Sequence, residues 1–356
     1  MSDPLRYILI GAGGAGAIWA RNALPRLMAM QKAVPVAVVD PSDERLKFAQ
    51  EYLQLTPQHC FTDPMEALEN RRADFVIIAS STPQHEKLIE AAITHDMHIL
   101  CESPVADTIQ ATLKIYRRSK NAKKKMAVAS SYRLDQDKQT LEHFLREPDF
   151  GKLNYLVMRF TQNLRQHASW GAYRHQMNDP LILEAAIHHF DIIRGLTDAK
   201  EANWIQAHTW SSPWAQYRGD TAALITMEMS NGAKCLYEGS LVNFASLNDL
   251  GEEYIRAECS GATLELDRRS LKMISGGAHD APTVQTLPLL EQEAWAQAWV
   301  GELFCDWLRG GQEPPGTISD YVYTAAMAFA AIESATRQMP IDVQQFLKQH
   351  VTATRP

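Results

Sequence analysis

The stretch YILIGAGGAG, residues 7–16, decides the fold of the amino-terminal part of this chain. Its apolar run stops at Gly11, which predicts a short buried strand. The glycines at positions 11, 13 and 16 fit G-x-G-x-x-G and open an Ala/Leu/Met-rich segment that predicts a helix, although Pro25 must bend or end it. A strand, a glycine turn and a helix in this order predict a site where a helix N-terminus meets a pyrophosphate.

Asp40 ends the next apolar run, close to the spacing of an acid that binds the adenosine ribose hydroxyls. Its carboxylate would repel a 2′-phosphate, so we expect the cofactor NAD rather than NADP. Arg45 is interpreted as a charge on the surface of the following helix. The predicted cofactor-binding residues of this region are Gly11, Gly13, Gly14, Ala15 and Asp40.

Strand-like and helical runs alternate through the first third of the chain and then stop alternating. Alternation predicts βαβ units and a parallel sheet, that is, an α/β Rossmann domain, which we assign to residues 1–125. The later apolar runs are short and strand-like, at 154–160, 222–229, 234–242, 254–259 and 262–266. With helices at about 180–196, 294–308 and 319–338, they predict an α+β domain with an open, mainly antiparallel sheet over residues 126–356.

Length and composition exclude several classes of protein. A chain of 356 residues holds about two domains at roughly 100–200 residues each. A net charge of −7 does not attract a phosphate backbone, so we expect no nucleic-acid partner. Five scattered cysteines without CxxC spacing support neither a disulfide framework nor a zinc site. No secretory signal and no apolar run of about 18 residues is present, so we expect a cytoplasmic protein without a membrane partner.

Three further motifs are more selective than the glycine turn. ASSTPQH at 79–85 and CESPVA at 101–106 resemble the second signature of the Gfo/Idh/MocA oxidoreductases, which typically reads ATPxxxH…CEKPxA. LEAAIHHFD at 183–191 is similar to the DxGxHxxD helix of the family's substrate domain. The resemblance covers nearly the whole chain and implies a nicotinamide-dependent oxidoreductase of a sugar or polyol.

The resemblance also implies roles for residues of the first domain. Ser80, Ser81 and His85 would border the dinucleotide, and Glu102 would accept hydrogen bonds from the nicotinamide ribose hydroxyls. Ser103 stands where the family carries its catalytic lysine. A serine is shorter and uncharged, so it would hold the reacting hydroxyl less strongly than the lysine does.

In the second domain the resemblance implies that His188 is the general acid/base, a role that suits an imidazole. Glu184, where the family has Asp, would orient it. Helical spacing predicts that both share one face with Asp191, which is alternatively a structural partner of the helix. Without a Cys or His cluster to complete a shell, we expect no metal.

Polar and aromatic residues that could contact substrate crowd the segment before this helix. Arginine suits hydroxyl or carboxylate oxygens and aromatic faces suit sugar CH surfaces, whereas the alternative is a surface loop. His189 either reaches the substrate or caps a neighbouring element. The segment contains Arg165, His167, Trp170, Tyr173, Arg174 and His175, and the predicted substrate-binding residues are Ser103, Arg133, Arg165, Tyr173 and His189.

Three functions remain open at this level. The first is an NAD-dependent oxidoreductase that moves a hydride between a carbinol of a sugar, polyol or sugar derivative and nicotinamide. The second is an NAD-dependent glycoside hydrolase that uses transient oxidation and elimination. The third is a non-catalytic dinucleotide- or sugar-sensing protein. By resemblance, we also expect a homodimer or homotetramer.

Overall fold

The computed structural model describes residues 3–166 and 171–353. They form two compact units. The first unit contains the chain up to Leu134 together with Glu293–Val322, and the second contains Asp135–Gln292 together with the chain from Tyr323 onward. The segment 293–322, which the sequence pattern assigns to the second domain, is thus grouped with the first unit.

Six parallel strands form the sheet of the first unit among the described residues. They are β1 (Leu5–Ile10), β2 (Ala33–Val39), β3 (Cys60–Phe61), β4 (Phe75–Ile78), β5 (His98–Cys101) and β6 (Met126–Val128). Their order is β3-β2-β1-β4-β5-β6. The carboxyl ends of β1, β2, β4 and β5 therefore lie along one edge, where parallel sheets bind ligands. This confirms the predicted Rossmann fold.

Helices cover both faces of this sheet. They are α1 (Ala15–Ile18), α2 (Leu24–Ala29), α3 (Asp43–Leu53), α4 (Pro64–Asn70), α5 (His85–Thr94) and α6 (Ile109–Asn121). A π-helical turn, Trp19–Ala23, joins α1 to α2. Pro25 has no N–H to donate, so the helical ladder is interrupted just before it, as the sequence predicts.

The core of the first unit includes a segment from late in the chain. Tyr7 of β1, Phe75 of β4 and Phe304 pack with ring centroids 5.7 and 5.5 Å apart. Phe304 lies in a helix that follows the second sheet in the sequence but shares the core of the first. Apolar residues of that helix therefore cover the aromatic side chains of β1 and β4.

The second unit is built on a sheet of nine strands within the described residues. They are β7 (Leu153–Thr161), β8 (Ala202–Trp210), β9 (Ala222–Met229), β10 (Lys234–Ser240), β11 (Tyr254–Cys259), β12 (Thr263–Asp267), β13 (Ser270–Ser275), β14 (Thr283–Thr286) and β15 (Ile341–Asp342). All adjacent pairs are antiparallel except β7 and β10. The predicted open, mainly antiparallel sheet is confirmed, and β8, β13, β14 and β15 are additions to it.

The remaining helices complete the chain. They are α7 (Gln136–Arg146), α8 (Ile187–Leu196), α9 (Ala296–Leu308), α10 (Ile318–Arg337) and α11 (Val343–Ala353). A second π-helical turn, Ile182–Ala186, runs directly into α8. The division between the two units falls within α10. Of the helices formed by the described residues, none is long and apolar enough to cross a membrane.

Candidate cofactor and substrate sites

The glycine turn after β1 is closed so tightly that two of its glycines are obligatory. Gly11 has φ 91°, and a Cβ there would lie 2.6 Å from the Ala79 carbonyl. A Cβ on Gly16 would overlap the Gly11 carbonyl oxygen, whereas Gly14, at φ 51°, faces open space. Because no side chain covers the backbone at Gly14, an anion can approach the start of α1, where the Gly16 N–H already donates to the Gly13 carbonyl at 2.9 Å.

Asp40 fixes the same turn from the end of β2. The side chain is 3% exposed, and its Oδ2 accepts the Ala12 N–H at 2.9 Å while Oδ1 accepts the Ser42 N–H at 2.9 Å. The Arg45 guanidinium lies 3.9 Å from Asp40 and stands over Gly13. Arg45 is therefore on the surface, as interpreted from the sequence, but beside the predicted ribose site.

His85 joins the two loops that follow β4 and β5. Its ring is 1% exposed, with nitrogens 2.9 Å from the Ser80 carbonyl oxygen and 3.0 Å from the Pro104 carbonyl oxygen. Burial lowers the pKa of His85, and a neutral imidazole donates to one carbonyl at a time. His85 thus positions these loops. Its direct contact with a dinucleotide stays a prediction.

Beside it, Ser80 and Ser81 line the loop after β4. The Ser80 Oγ is buried without a hydrogen-bond partner among the described residues. An unpaired buried hydroxyl costs free energy that a bound ligand would recover. Ser81 is exposed and precedes a 3₁₀ turn, Thr82–Gln84. Both serines are placed to meet a ligand at this edge of the sheet.

Glu102 lies directly after β5, half-buried at the same edge. Its Oε1 accepts a hydrogen bond from the Trp19 indole at 2.6 Å. Burial raises the pKa of Glu102 to about 7, against the opposing effect of the Trp19 and Ser103 N–H donors. Trp19 was not predicted, although an indole one turn into the helix after a glycine turn is a usable signal for a donor facing the site.

The first unit therefore presents groups that fit a dinucleotide. The glycine turn leaves room for phosphates, and Glu102 can accept from adjacent ribose hydroxyls. The buried Ser80 hydroxyl has no hydrogen-bond partner within 3–166 and 171–353. These residues come from β1, β4 and β5, whose carboxyl ends share one edge.

In the second unit, Glu184 lies in the π-helical turn and is 5% exposed. Its Oε2 accepts from Arg174 Nε at 2.5 Å and from the Tyr173 hydroxyl at 3.4 Å. Its Oε1 is buried without a hydrogen-bond partner among the described residues. Burial raises the pKa of Glu184, while Arg174 opposes the rise. The wide turn also means that Glu184 and His188 do not share a regular α-helical stripe.

His188 follows at the start of α8 and is half-buried. Desolvation, His189 and Arg174 lower the pKa of His188 to about 3, while Glu253 acts in the opposite direction. The imidazole is therefore neutral at physiological pH. A neutral imidazole can accept a proton, but the lowered pKa makes His188 a weaker base than a solvated imidazole.

His189 points into a group of residues that we call the buried ionic cluster: Asp137, Lys138, His189 and Glu253. Glu253 Oε2 lies 2.6 Å from Lys138 Nζ, and Glu253 Oε1 lies 3.4 Å from His189 Nε2. Lys138 also contacts Asp137 at 3.1 Å, and His189 Nδ1 is 2.9 Å from the Tyr237 hydroxyl. His189 has no exposed surface, which favours the alternative in which it caps a neighbouring element.

The other predicted residues lie as follows. Asp191 accepts from Arg194 and Thr324, each at 3.3 Å, which matches a structural partner of the helix. Arg165 donates to the Val242 carbonyl at 2.9 Å and lies between the rings of Trp214 and Phe244. Arg133 lies in a 3₁₀ turn, Tyr132–Leu134, of the first unit. His167 and Trp170 lie outside the described residues.

Across 3–166 and 171–353, no group of three or more His, Cys, Asp or Glu side chains is arranged to hold a metal ion.

Comparison with known proteins assigns the fold to a class. Residues 5–130 match the oxidoreductase family with an NAD-binding Rossmann fold, and residues 139–263 match the GFO/IDH/MocA C-terminal domain. The class is thus that of NAD-binding oxidoreductases. The chain belongs to the Gfo/Idh/MocA family, and the expectation of an NAD-binding Rossmann domain is confirmed.

Individual relatives agree with this assignment. The uncharacterized protein y4oX of Sinorhizobium fredii is 35% identical over 97% of either chain. An inositol 2-dehydrogenase of Pseudarthrobacter chlorophenolicus is 30% identical, but the match spans only 55% of either chain. An inositol dehydrogenase homologue of Azotobacter vinelandii, solved with NADH and myo-inositol, superposes with a TM-score of 0.77 at 19% identity and covers 96% of this chain and 98% of that one.

Proposed function

We propose that this protein is an NAD-dependent dehydrogenase that acts on a secondary hydroxyl of a polyol, a sugar or a sugar derivative. The observation that carries the substrate class is the arrangement around Glu184 in the second unit. A buried carboxylate with one oxygen held by Arg174, and the other without a hydrogen-bond partner in the part of the chain that the structure describes, suits a ligand that offers hydroxyl donors. The names of two relatives, which refer to inositol, support the same class.

The first unit supplies cofactor binding in this proposal. The N–H groups at the start of α1 hold the pyrophosphate, Asp40 faces the adenosine ribose, and Glu102 holds the nicotinamide ribose. When bound, NAD supplies the nicotinamide ring that accepts or returns a hydride. We propose NAD over NADP because a carboxylate beside the adenosine ribose would repel a 2′-phosphate, and Asp40 ends β2 at the predicted ribose site.

The second unit supplies the proton acceptor. His188 takes the proton of the reacting hydroxyl as a neutral imidazole, and Glu184 with Arg174 orients the substrate beside it. Ser103 of the first unit hydrogen-bonds the reacting oxygen. Because the pKa of His188 is lowered to about 3, His188 stays unprotonated between pH 5 and pH 9, and its protonation should not reduce the rate in this range.

The first test is a titration of purified protein with NADH and NADPH, followed by the fluorescence of the reduced nicotinamide. We expect saturable binding of NADH and much weaker binding of NADPH. A panel of inositols, other polyols, sugars and glycosides with NAD⁺ then identifies the substrate by absorbance at 340 nm. Absence of binding by both nucleotides would contradict the proposal.

His188→Ala is expected to lower kcat by about 100-fold or more, because positioned general bases contribute roughly 10²–10⁴-fold. The control is His208→Ala, which removes an exposed imidazole from β8 of the same unit. Equal activity of the two variants would refute the assignment. A glycoside consumed without net change at 340 nm would instead support the hydrolytic cycle.

A homodimer or homotetramer is part of the proposal. Leu224 of β9 and Leu236 of β10 lie on the open face of the second sheet and are 47% and 40% exposed. Neighbouring exposed leucines on a sheet face favour contact with another subunit. Light scattering coupled to size exclusion should give a mass of two or four chains, and a monomer would contradict this part.

A further inference from the structure

The loop after β5 contains a hydrogen-bonded pair of hydroxyls. The Ser103 Oγ lies 3.1 Å from the Tyr321 hydroxyl, which comes from α10 within the first unit. Tyr321 is 3% exposed, whereas Ser103 is half-buried and keeps accessible surface. The tyrosine therefore stands behind the serine, on the side away from solvent.

A third group engages the phenol of this pair. The Val105 N–H points at the Tyr321 oxygen at 3.4 Å. A backbone N–H is only a donor, so the phenol oxygen accepts from it and keeps its own O–H, which can donate to the Ser103 Oγ. When the Ser103 oxygen accepts from Tyr321, the Ser103 proton is left to donate to a ligand. Consecutive hydrogen bonds polarise one another, which strengthens Ser103 as a donor.

Both hydroxyls are held by the same sheet. Thr317 forms an antiparallel bridge to Ala127 of β6, and the Val128 N–H donates to the Gly316 carbonyl at 2.7 Å. The Tyr321 N–H then donates to the Thr317 carbonyl at 2.8 Å, one turn further along. Strand β6 pairs with β5, whose end leads into Ser103. Groups fixed to rigid elements keep their geometry better than groups on loops.

We propose that Tyr321 is a positioning residue that turns the Ser103 hydroxyl into a fixed hydrogen-bond donor for the reacting oxygen of the substrate. The inference rests on the proposed function, because it assumes that an alcohol or carbonyl oxygen binds beside Ser103. Glu102, one residue away, accepts hydrogen bonds, so the loop presents an acceptor and a donor side by side. A donor aimed at an oxygen that gains charge stabilises the transition state more than the ground state.

The test is a double-mutant cycle on the whole protein, with NAD⁺ and the substrate found in the panel. Ser103→Ala should lower kcat about 100-fold, the low end for loss of one such donor. Tyr321→Phe should lower kcat about tenfold and leave the dissociation constant of NADH within twofold. The double variant should resemble Ser103→Ala alone, because Tyr321 acts only through Ser103. Ser103→Thr, which keeps the hydroxyl, should retain most of the activity.

Two controls separate orientation from packing. Tyr323→Phe removes a phenol two residues further along α10 and should leave kcat unchanged. Tyr321→Met repeats the removal with another apolar side chain, in case Tyr321→Phe is poorly folded by circular dichroism. Binding of the substrate polyol to the NADH-loaded protein, followed by nicotinamide fluorescence, should weaken in both Tyr321 variants as an independent measurement.

The outcomes distinguish the two levels of inference. If the unmodified protein binds NADH and turns over a substrate but Tyr321→Phe keeps full kcat, the role of Tyr321 is overturned and the proposed function stands. Multiplicative effects in the double variant would also overturn it. If the unmodified protein binds neither NADH nor any polyol, the proposed function fails and the role of Tyr321 fails with it.

Discussion

The edge of the first sheet and the buried ionic cluster shift the pKa of a glutamate in opposite directions, at Glu102 and at Glu253. Glu102 has a neutral indole donor at 2.6 Å, and burial raises its pKa to about 7. Glu253 is more deeply buried, but the charge of Lys138 at 2.6 Å and the bond from His189 hold its pKa well below the usual value. Partner charge, rather than burial, decides the sign of the shift.

The two opposite pKa shifts suit two different roles, ligand binding and structural support. A carboxyl group that is costly to ionise and that faces accessible space gains most from ligand hydroxyls, which supply the hydrogen bonds it lacks. A permanently ionised carboxylate with buried partners instead fixes the elements that carry those partners. In this protein Glu253 joins α7 to α8 through Lys138 and His189. Glu102 is thus suited to binding and Glu253 to structure.

The largest expected effect tests the structural role of the buried ionic cluster. Lys138→Met would leave Glu253 and Asp137 buried without their cation, and breaking a buried pair costs about 3–5 kcal/mol. We expect a correspondingly lower midpoint in urea unfolding followed by circular dichroism. Lys114→Met, which removes an exposed ion pair with Glu86, is the control and should leave the midpoint unchanged. Equal midpoints for the two variants would show that the cluster contributes little.

The next effect tests whether the glycine turn is as closed as the structure shows. Gly16→Ala would force a Cβ into the Gly11 carbonyl oxygen, and opening the turn should weaken NADH binding about 100-fold, or ~3 kcal/mol. Gly310→Ala, at φ 94° in open space far along the chain, carries backbone strain without a clash. It should bind NADH normally. Normal binding by Gly16→Ala would contradict the described turn.

The cofactor edge of the first sheet and the buried ionic cluster also differ in how far the sequence predicts them. The turn from Gly11 to Gly16 and the acid at Asp40 follow one another within two strands, so local patterns are enough to place them. Their positions in the Rossmann sheet agree with the prediction. Trp19 and Tyr321 escaped notice because their partners, the Glu102 carboxylate and the Ser103 hydroxyl, come from elsewhere in the chain.

The buried ionic cluster has no local signature. Lys138 lies in the polar run DQDK, and Glu253 follows a second glutamate, a pattern typical of a solvated surface. Only the register of β11 beside β7, together with the packing of α7 and α8, makes them neighbours of His189. The π-helical turn at Glu184 is likewise invisible in the spacing, which predicted a regular α-helical stripe.

A smaller effect tests the proposed role of Glu102 in NADH binding. In the proposed function the Glu102 carboxylate accepts hydrogen bonds from ribose hydroxyls. Protonation of Glu102 below pH 7 would remove that charge, so NADH affinity should rise about tenfold from pH 6 to pH 8, or about 1.4 kcal/mol. Glu102→Gln should bind NADH with little pH dependence over this range. Fluorescence titrations at each pH measure both proteins. A Glu102→Gln variant that keeps the full pH dependence would assign it to another group.

Stability gives an independent check on the same glutamate. Because its folded-state pKa is raised, the folded protein binds the proton more tightly than the unfolded chain does. This contribution to stability is present below about pH 4.5 and is lost as the pH rises through about 7. The thermal midpoint of the native protein, relative to that of Glu102→Gln, should therefore fall across this window. A constant difference would mean that the pKa of Glu102 is not raised.

The smallest expected effect concerns the hydrogen bond between Tyr237 and His189 of the buried ionic cluster. Tyr237→Phe removes the hydroxyl that lies 2.9 Å from His189 Nδ1, and a buried hydrogen bond of this kind contributes about 1 kcal/mol. Tyr254→Phe, on the opposite face of the same sheet, removes a hydroxyl bonded to the half-buried Glu265 and is the matched control. If urea unfolding shows the loss at Tyr237 only, hydrogen bonds as well as charge hold His189 in place. If it shows as large a loss as Lys138→Met, the cluster depends on the orientation of His189 more than on the Lys138 charge.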